Sequence, residues 1–231
     1  DYAEAYNNMG SALEEKGDLE AAIDSYKIAL KIKPDYTDVY FNMGAALNGV
    51  EFTKPQPDLL NLILRILEGA NYTRPVYICK AALSLLKFDS NVKAILGRDA
   101  KGKSASSLER TISELSKTPL LLKLMEVCPL ADLELEALFK DIRSDILLRI
   151  SSITNTTKIL NFQSALALQC FTNEYLYDQT DAETEALNAL EMSVERNLSD
   201  GNQPTPSQLA CLTSYKVLHE YSWSNLLSMP T

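Results

Sequence analysis

Residues 1–48 read DYAEAYNNMGSALEEKGDLEAAIDSYKIALKIKPDYTDVYFNMGAALN, and the stretch overlays on itself at an offset of 34. Asp1-Tyr2 returns as Asp35-Tyr36, Tyr6 as Tyr40, Asn8 as Asn42, Met9-Gly10 as Met43-Gly44 and Ala12-Leu13 as Ala46-Leu47. Tyr6, Met9, Gly10 and Leu13 recur at the spacing of one helical face, which predicts a first helix over residues 3–16. The turn Lys16-Gly17-Asp18 follows, then a second helix over 19–32 with Ala22, Tyr26 and Ala29 as the matching stripe. Pro34 stops that helix, since its ring cannot continue the hydrogen-bond ladder. Gly10 carries no side chain and lets the two helices approach closely. After Leu47 the second period breaks into Asn48-Gly49-Val50 and Phe52-Thr53-Lys54-Pro55-Gln56-Pro57. This run predicts that the second helix of that period is missing and that the repeats, one full and one partial, end at residue 48. Residues 49–231 are then expected to form an all-helical domain that covers the exposed face of the last repeat.

A 34-residue period with two helices resembles the tetratricopeptide (TPR) repeat over residues 1–48. The resemblance implies a concave surface, lined by the first helix of each repeat, that receives an extended peptide. By position, the groove residues are Glu4, Asn7, Asn8, Ser11, Glu14 and Glu15 from the first repeat and Asp38, Phe41, Asn42 and Ala45 from the second. Asn8 and Asn42 are equivalent, so their amides can form a ladder that pairs with a peptide backbone whatever its sequence. This resembles the asparagine ladder of the O-linked N-acetylglucosamine transferase repeats. The other reading is that each Asn satisfies a neighbouring backbone group or water. Some TPR proteins clamp a terminal carboxylate with Lys and Arg around such Asn positions, and those basic residues are not present here. Glu4, Glu14, Glu15 and Asp38 make the groove acidic, so the expected partner is an extended peptide or protein segment that is neutral or basic.

Downstream, the pattern stays helical between Pro, Gly and polar turns. Leu59, Leu60, Ile63, Leu64 and Leu67 make a stripe ending at Gly69, and Pro75 opens a helix reaching Leu86. Residues 89–105 read mostly as loop. Further helices are predicted over 106–116, 119–127, 131–152 and 182–198, with Thr180 and Glu183 at capping-box spacing, and a last one reaches Tyr221. The segment from Ile159 to Tyr177 is apolar nearly all round, the signature of a central helix. Its polar residues Gln163, Gln169, Asn173 and Glu174 either form a hidden site or satisfy the backbone ends of neighbouring helices. Tyr215, Tyr221 and Trp223 are either core or a surface that a further domain covers. Glu134 and Glu136, two apart on a helix, lie on different faces and make no catalytic dyad. The fold class is all-α.

Four phrases carry a further resemblance: GVEFTKPQPDL (49–59), AALSLLKF (81–88), PLLLKLMEVCP (119–129) and FQSALALQCFTNEY (162–175). They look like the helical region of bacterial TPR-containing methyltransferases, in which such a region precedes a class I S-adenosylmethionine-dependent domain. The likeness spans most of 49–227. It implies a substrate-recruiting or regulatory region of a larger enzyme, with the cofactor site outside residues 1–231.

Composition narrows the function classes. With 31 acidic and 22 basic side chains the 231 residues carry a net charge of -9. That balance disfavours nucleic acid, whose phosphates require clustered cations, and also an anionic membrane surface. No apolar run approaches the ~18 residues of a membrane span. Cys79, Cys128, Cys170 and Cys211 are far apart and form no Cys-x-x-Cys pair, which reads as reduced, buried thiols in a cytoplasmic protein. A Cys nucleophile with His219 as its base is the less favoured alternative. Sequons at Asn71, Asn155 and Asn197 carry little weight without a visible secretory segment. No metal or cofactor site is expected. The one motif with chemistry is Gly97-Arg98-Asp99-Ala100-Lys101-Gly102-Lys103-Ser104, which matches the phosphate-cradling G-x-x-x-x-G-K-[ST] loop. That loop works between a buried strand and a helix, so Val92 to Leu96 would have to be a strand. The alternative, a polar loop with a chance match, is preferred.

Overall fold

The computed structural model describes residues 1–69, 73–97 and 105–228. It is 70% helical, with twelve α-helices and no strand among the described residues. The chain divides into two compact units, Asp1–Asp89 and Ser90–Thr231.

Unit 1 contains α1 (Tyr2–Glu15), α2 (Leu19–Ile32), α3 (Thr37–Ala46), α4 (Pro57–Glu68) and α5 (Pro75–Leu86). Asp1 and Asp18 cap α1 and α2 by accepting the Ala3 and Ala21 N–H groups. Gly17, at φ +84°, makes the turn between them. Tyr26 is fully buried, and its ring fills the space that a Cβ on Gly10 would need. The α3 helix packs on α1 and α2, α4 on α3, and α5 on both α3 and α4.

One expectation is met here and one is corrected. The stripe from Leu59 to Leu67 forms a helix ending before Gly69: α4 buries Leu59, Ile63 and Ile66 and lies against α3, after a connection over residues 47–56. The prolines lengthen that connection without blocking the helix. Pro57 occupies the first turn of α4, where its missing N–H has no intrahelical partner to lose. In α1 the buried positions are Ala3, Asn7 and Gly10, whereas Met9 is 44% exposed. Its register partner Met43 is 0% exposed, because α3 has α1, α2, α4 and α5 around it while α1 packs on α2 and α3.

Unit 2 contains α6 (Ser90–Leu96), α7 (Ala105–Leu115), α8 (Pro119–Val127), α9 (Leu133–Leu148), α10 (Thr157–Thr172), α11 (Asp181–Ser199) and α12 (Pro206–Thr213). The helix α6 replaces the expected loop, and its Val92 and Ile95 are buried. Central α10 packs on α7, α8 and α12 and buries Phe162, Ala165, Leu166 and Cys170. It is not enclosed all round, since Leu168 and Phe171 face outward. The capping box of α11 forms as its spacing implies, with Thr180 and Glu183 exchanging bonds. The last helix ends at Thr213, short of Tyr221, and two 3-10 turns follow. Tyr221 donates its hydroxyl to the Leu212 carbonyl (2.9 Å) in the last turn of α12. Tyr215, Tyr221 and Trp223 are buried core, with the last two rings stacked at 4.9 Å.

A charged cluster lies inside unit 2. Arg143 on α9 is buried, and its Nη2 donates to the carbonyls of Tyr177 (3.3 Å) and Asp178 (3.0 Å) and reaches Glu183 at 3.5 Å. The guanidinium also lies 4.2 Å from the centre of the Tyr215 ring. Burial alone would raise the Glu183 carboxyl. The bonds from Thr180 and Tyr215, together with Arg143, outweigh it and hold the group below its ordinary value of 4.5. A depressed carboxylate contributes stability above its unfolded pKa, and that contribution disappears as pH falls through the folded one. The unfolding temperature of the wild type should therefore drop on acidification below about pH 4.5, with Glu183→Gln showing a shallower pH dependence. At neutral pH the variant should be less stable by about 3–5 kcal/mol, because Arg143 is left buried without its anion. Thermal unfolding of both proteins from pH 7 to pH 3 checks this; identical pH profiles would refute it.

A second prediction concerns α1. Gly10→Ala pushes a Cβ into the Tyr26 ring and should destabilise unit 1 by about 1–3 kcal/mol in chemical denaturation. Gly17→Ala meets no neighbour and should cost only about 1 kcal/mol through its positive φ.

Candidate functional site

The helices α1 and α3 carry the residues expected to line a groove. Glu4, Asn8, Ser11 and Glu15 follow one another at four-, three- and four-residue steps along α1, so they share a face. In register, Asp38, Asn42 and Ala45 run along α3, and the two helices are in contact. The structure sorts these side chains into two groups.

Glu4, Asn8, Glu15, Asp38, Phe41 and Ala45 are exposed. Phe41 presents 58% of its surface, the largest apolar side chain on this face. Asn7, Ser11, Glu14 and Asn42 are committed inside unit 1. The Tyr26 hydroxyl donates to Glu14 at 3.0 Å and lies 3.3 Å from the Ser11 hydroxyl. Burial, first of all, pushes the Tyr26 phenol up to about 12, so it stays protonated and remains a donor at neutral pH. Asn42 donates from its amide nitrogen to Oδ1 of Asn7 at 3.0 Å.

Of the two readings of the equivalent asparagines, the structure places one member, Asn42, in a side-chain bond to α1. Its partner is Asn7, one residue from the Asn8 that the repeat register pairs with it. The signal for this was present in the pattern: Ala3, Asn7 and Gly10 are the small residues of α1 at helical spacing, and that stripe is buried. An amide on such a stripe needs a partner, and the facing helix supplies it.

The other candidates resolve within unit 2. Gln163 accepts from the Ser207 hydroxyl at 2.9 Å. The amide of Gln169 is oriented to donate to the Cys128 carbonyl (3.2 Å) and to accept from the Leu130 N–H (3.1 Å), which satisfies backbone groups at the end of α8. Asn173 is half-buried and Glu174, at φ +54°, is exposed. All four cysteines are buried and none is in a disulfide, and His219 is exposed. Burial pushes the Cys170 and Cys211 thiols up to about 12, the opposite of an activated nucleophile. Residues 98–104 of the phosphate-loop match, and the sequon Asn71, lie outside the described residues. The strand that such a loop needs is absent from its place, because Val92 to Leu96 belong to α6. No described helix is long and apolar enough to cross a membrane.

Residues 10–48 match the family model of the TPR repeat, from the middle of α1 to the end of α3. Among curated proteins and among solved structures, none matches the chain.

The Asn7–Asn42 bond leads to a specific expectation. Asn42→Ala removes the donor to a buried oxygen and should destabilise unit 1 by about 1–2 kcal/mol. Asn8→Ala, at an exposed position, should stay within about 0.5 kcal/mol of wild type in the same denaturation experiment.

Proposed function

We propose that this chain is a protein-binding module whose α1–α3 face takes an extended, neutral or basic segment of another polypeptide, with no catalysis supplied by these residues. TPR repeats generally mediate protein–protein interaction, and the repeat match lies on the helices that carry this face. The observation that carries the reading is the chemistry left exposed there. Three exposed carboxylates, Glu4, Glu15 and Asp38, share α1 and α3 with an exposed aromatic ring, Phe41, and one exposed amide, Asn8. An aromatic anchor with a like-charged rim favours partners of opposite sign and repels acidic ones. Glu14 is better understood as part of the α1–α2 contact, since it accepts the Tyr26 hydroxyl. Within unit 1, α4 and α5 serve as the part of residues 49–231 that covers the last repeat. A cytoplasmic setting fits four buried cysteines outside any disulfide.

A compatible second reading makes the chain a substrate-recruiting or regulatory region of a larger bacterial S-adenosylmethionine-dependent methyltransferase. The four phrases between residues 49 and 175 support it. A class I methyltransferase domain in the same reading frame would bear it out, and its absence would remove the reading.

Fluorescence anisotropy with a labelled lysine-rich peptide and a neutral peptide of equal length tests the binding face. Charge reversal at Glu15 or Asp38 should weaken the basic peptide about fivefold, roughly 1 kcal/mol, and leave the neutral one unchanged. Phe41→Ala should weaken both about tenfold or more. Equal effects of charge reversal on the two peptides would sink the charge preference, and unchanged binding in all variants would move the site elsewhere.

A further inference from the structure

The second helices of unit 1 carry a cleft with the opposite charge. We infer that the cleft between α2 and α4 binds a carboxylate carried on an aliphatic chain. It is a site separate from the α1–α3 face and does not depend on the reading of that face. The cleft has a volume of about 320 Å³, within the usual range of small-molecule sites.

Its walls are two helical strips. Lys27 and Lys31, one turn apart on α2, face Asn61 and Arg65, one turn apart on α4. Leu30, Pro34 and Leu62 make the apolar floor. Asp58 is the single carboxylate among the lining residues and Asp24 pairs with Lys27 beside them, so three cations stand against two anions in a chain whose net charge is -9. Such a local excess is not what the average composition produces.

Two of the cations are held in place. Arg65 donates from Nη2 to the Pro34 carbonyl at 3.2 Å, and its guanidinium lies 5.3 Å from the centre of the Tyr40 ring. The guanidinium has further N–H donors in a planar fork that suits a carboxylate. Lys27 is tied to Asp24 at 3.0 Å and to Gln56 at 3.4 Å, which keeps its ammonium at the rim. Lys31 is exposed. Held donors lose less rotamer entropy on binding than free ones, which is the usual reason surface charges contribute little.

The floor decides what kind of anion fits. A bare inorganic anion leaves Leu30 and Leu62 uncovered, and a dianion is repelled by Asp58. A monocarboxylate with an aliphatic body covers the leucines and meets Arg65 and Lys31 with its charged end. The source is either a small free carboxylate or a peptide terminus, and the experiment separates them.

Amide-resolved NMR titration of the whole chain tests the site with N-acetyl-leucine, N-acetyl-leucinamide, acetate and inorganic phosphate as probes. N-acetyl-leucine should give saturable shifts confined to residues 27–34 and 58–65. The amide and acetate should bind at least about fivefold more weakly, since each lacks one half of the recognition. Lys31→Glu should weaken N-acetyl-leucine about tenfold while leaving the remaining spectrum unchanged. A peptide ending in leucine that binds more tightly than N-acetyl-leucine, with its C-terminal amide weaker, identifies a chain terminus as the source; equal binding identifies a small carboxylate. Four results would overturn the inference: no saturable shifts, shifts mapping elsewhere, equal affinity for the leucinamide or phosphate, or full affinity in Lys31→Glu.

Discussion

A side chain that is not there governs unit 1. Because Gly10 ends at its Cα, the Tyr26 ring can lie directly on the α1 backbone, and the ring is excluded from water completely. A buried phenol must still satisfy its hydroxyl. It does so by donating to Glu14 with Ser11 alongside, so one packing contact draws two polar residues of α1 into the hairpin. The exposed chemistry of α1 is what remains after that demand is met. Glu4, Asn8 and Glu15 are available to a partner because Ser11 and Glu14 are not.

The same position is used again one period later, against a different neighbour. A Cβ on Gly44 would come within 2.9 Å of the Thr73 side chain, which leads into α5. The repeat therefore specifies a place of close approach rather than a fixed partner residue. Asn7 and Phe41 show the converse. They are in register, yet Asn7 is buried and bonded to Asn42, whereas Phe41 stands in solvent. Identical register gives the same backbone position, and the number of surrounding helices decides what becomes of the side chain.

This distinction explains how much was legible beforehand. The helix boundaries of 19–32, 75–86 and 119–127 follow from proline and capping chemistry, which act within a few residues and can be read locally. The α6 helix shows where local reading falls short. A helix as short as α6, Ser90–Leu96, shows two buried residues and too few turns for a periodic signal. Which of the candidate groove residues are spent inside the unit was not legible, because the Asn7–Asn42 bond joins residues 35 apart. Likewise, Lys27 and Lys31 resemble any solvated helix face until α4 brings Arg65 opposite them.

Separate rows also let one period carry two charges. In unit 1, α1, α3 and α5 contact one another in succession, while α2 and α4 pack against that row. Packed helix axes lie about 8–10 Å apart. The screening length at physiological salt is about 8 Å, so exposed carboxylates on the first row act only weakly on cations of the second. Acid can therefore accumulate at Glu4, Glu15 and Asp38 without neutralising Lys31 and Arg65. Net charge, an average over the chain, conceals this arrangement. In a helix-hairpin repeat the electrostatics a partner would meet are those of each row, and in this unit the two rows differ in sign.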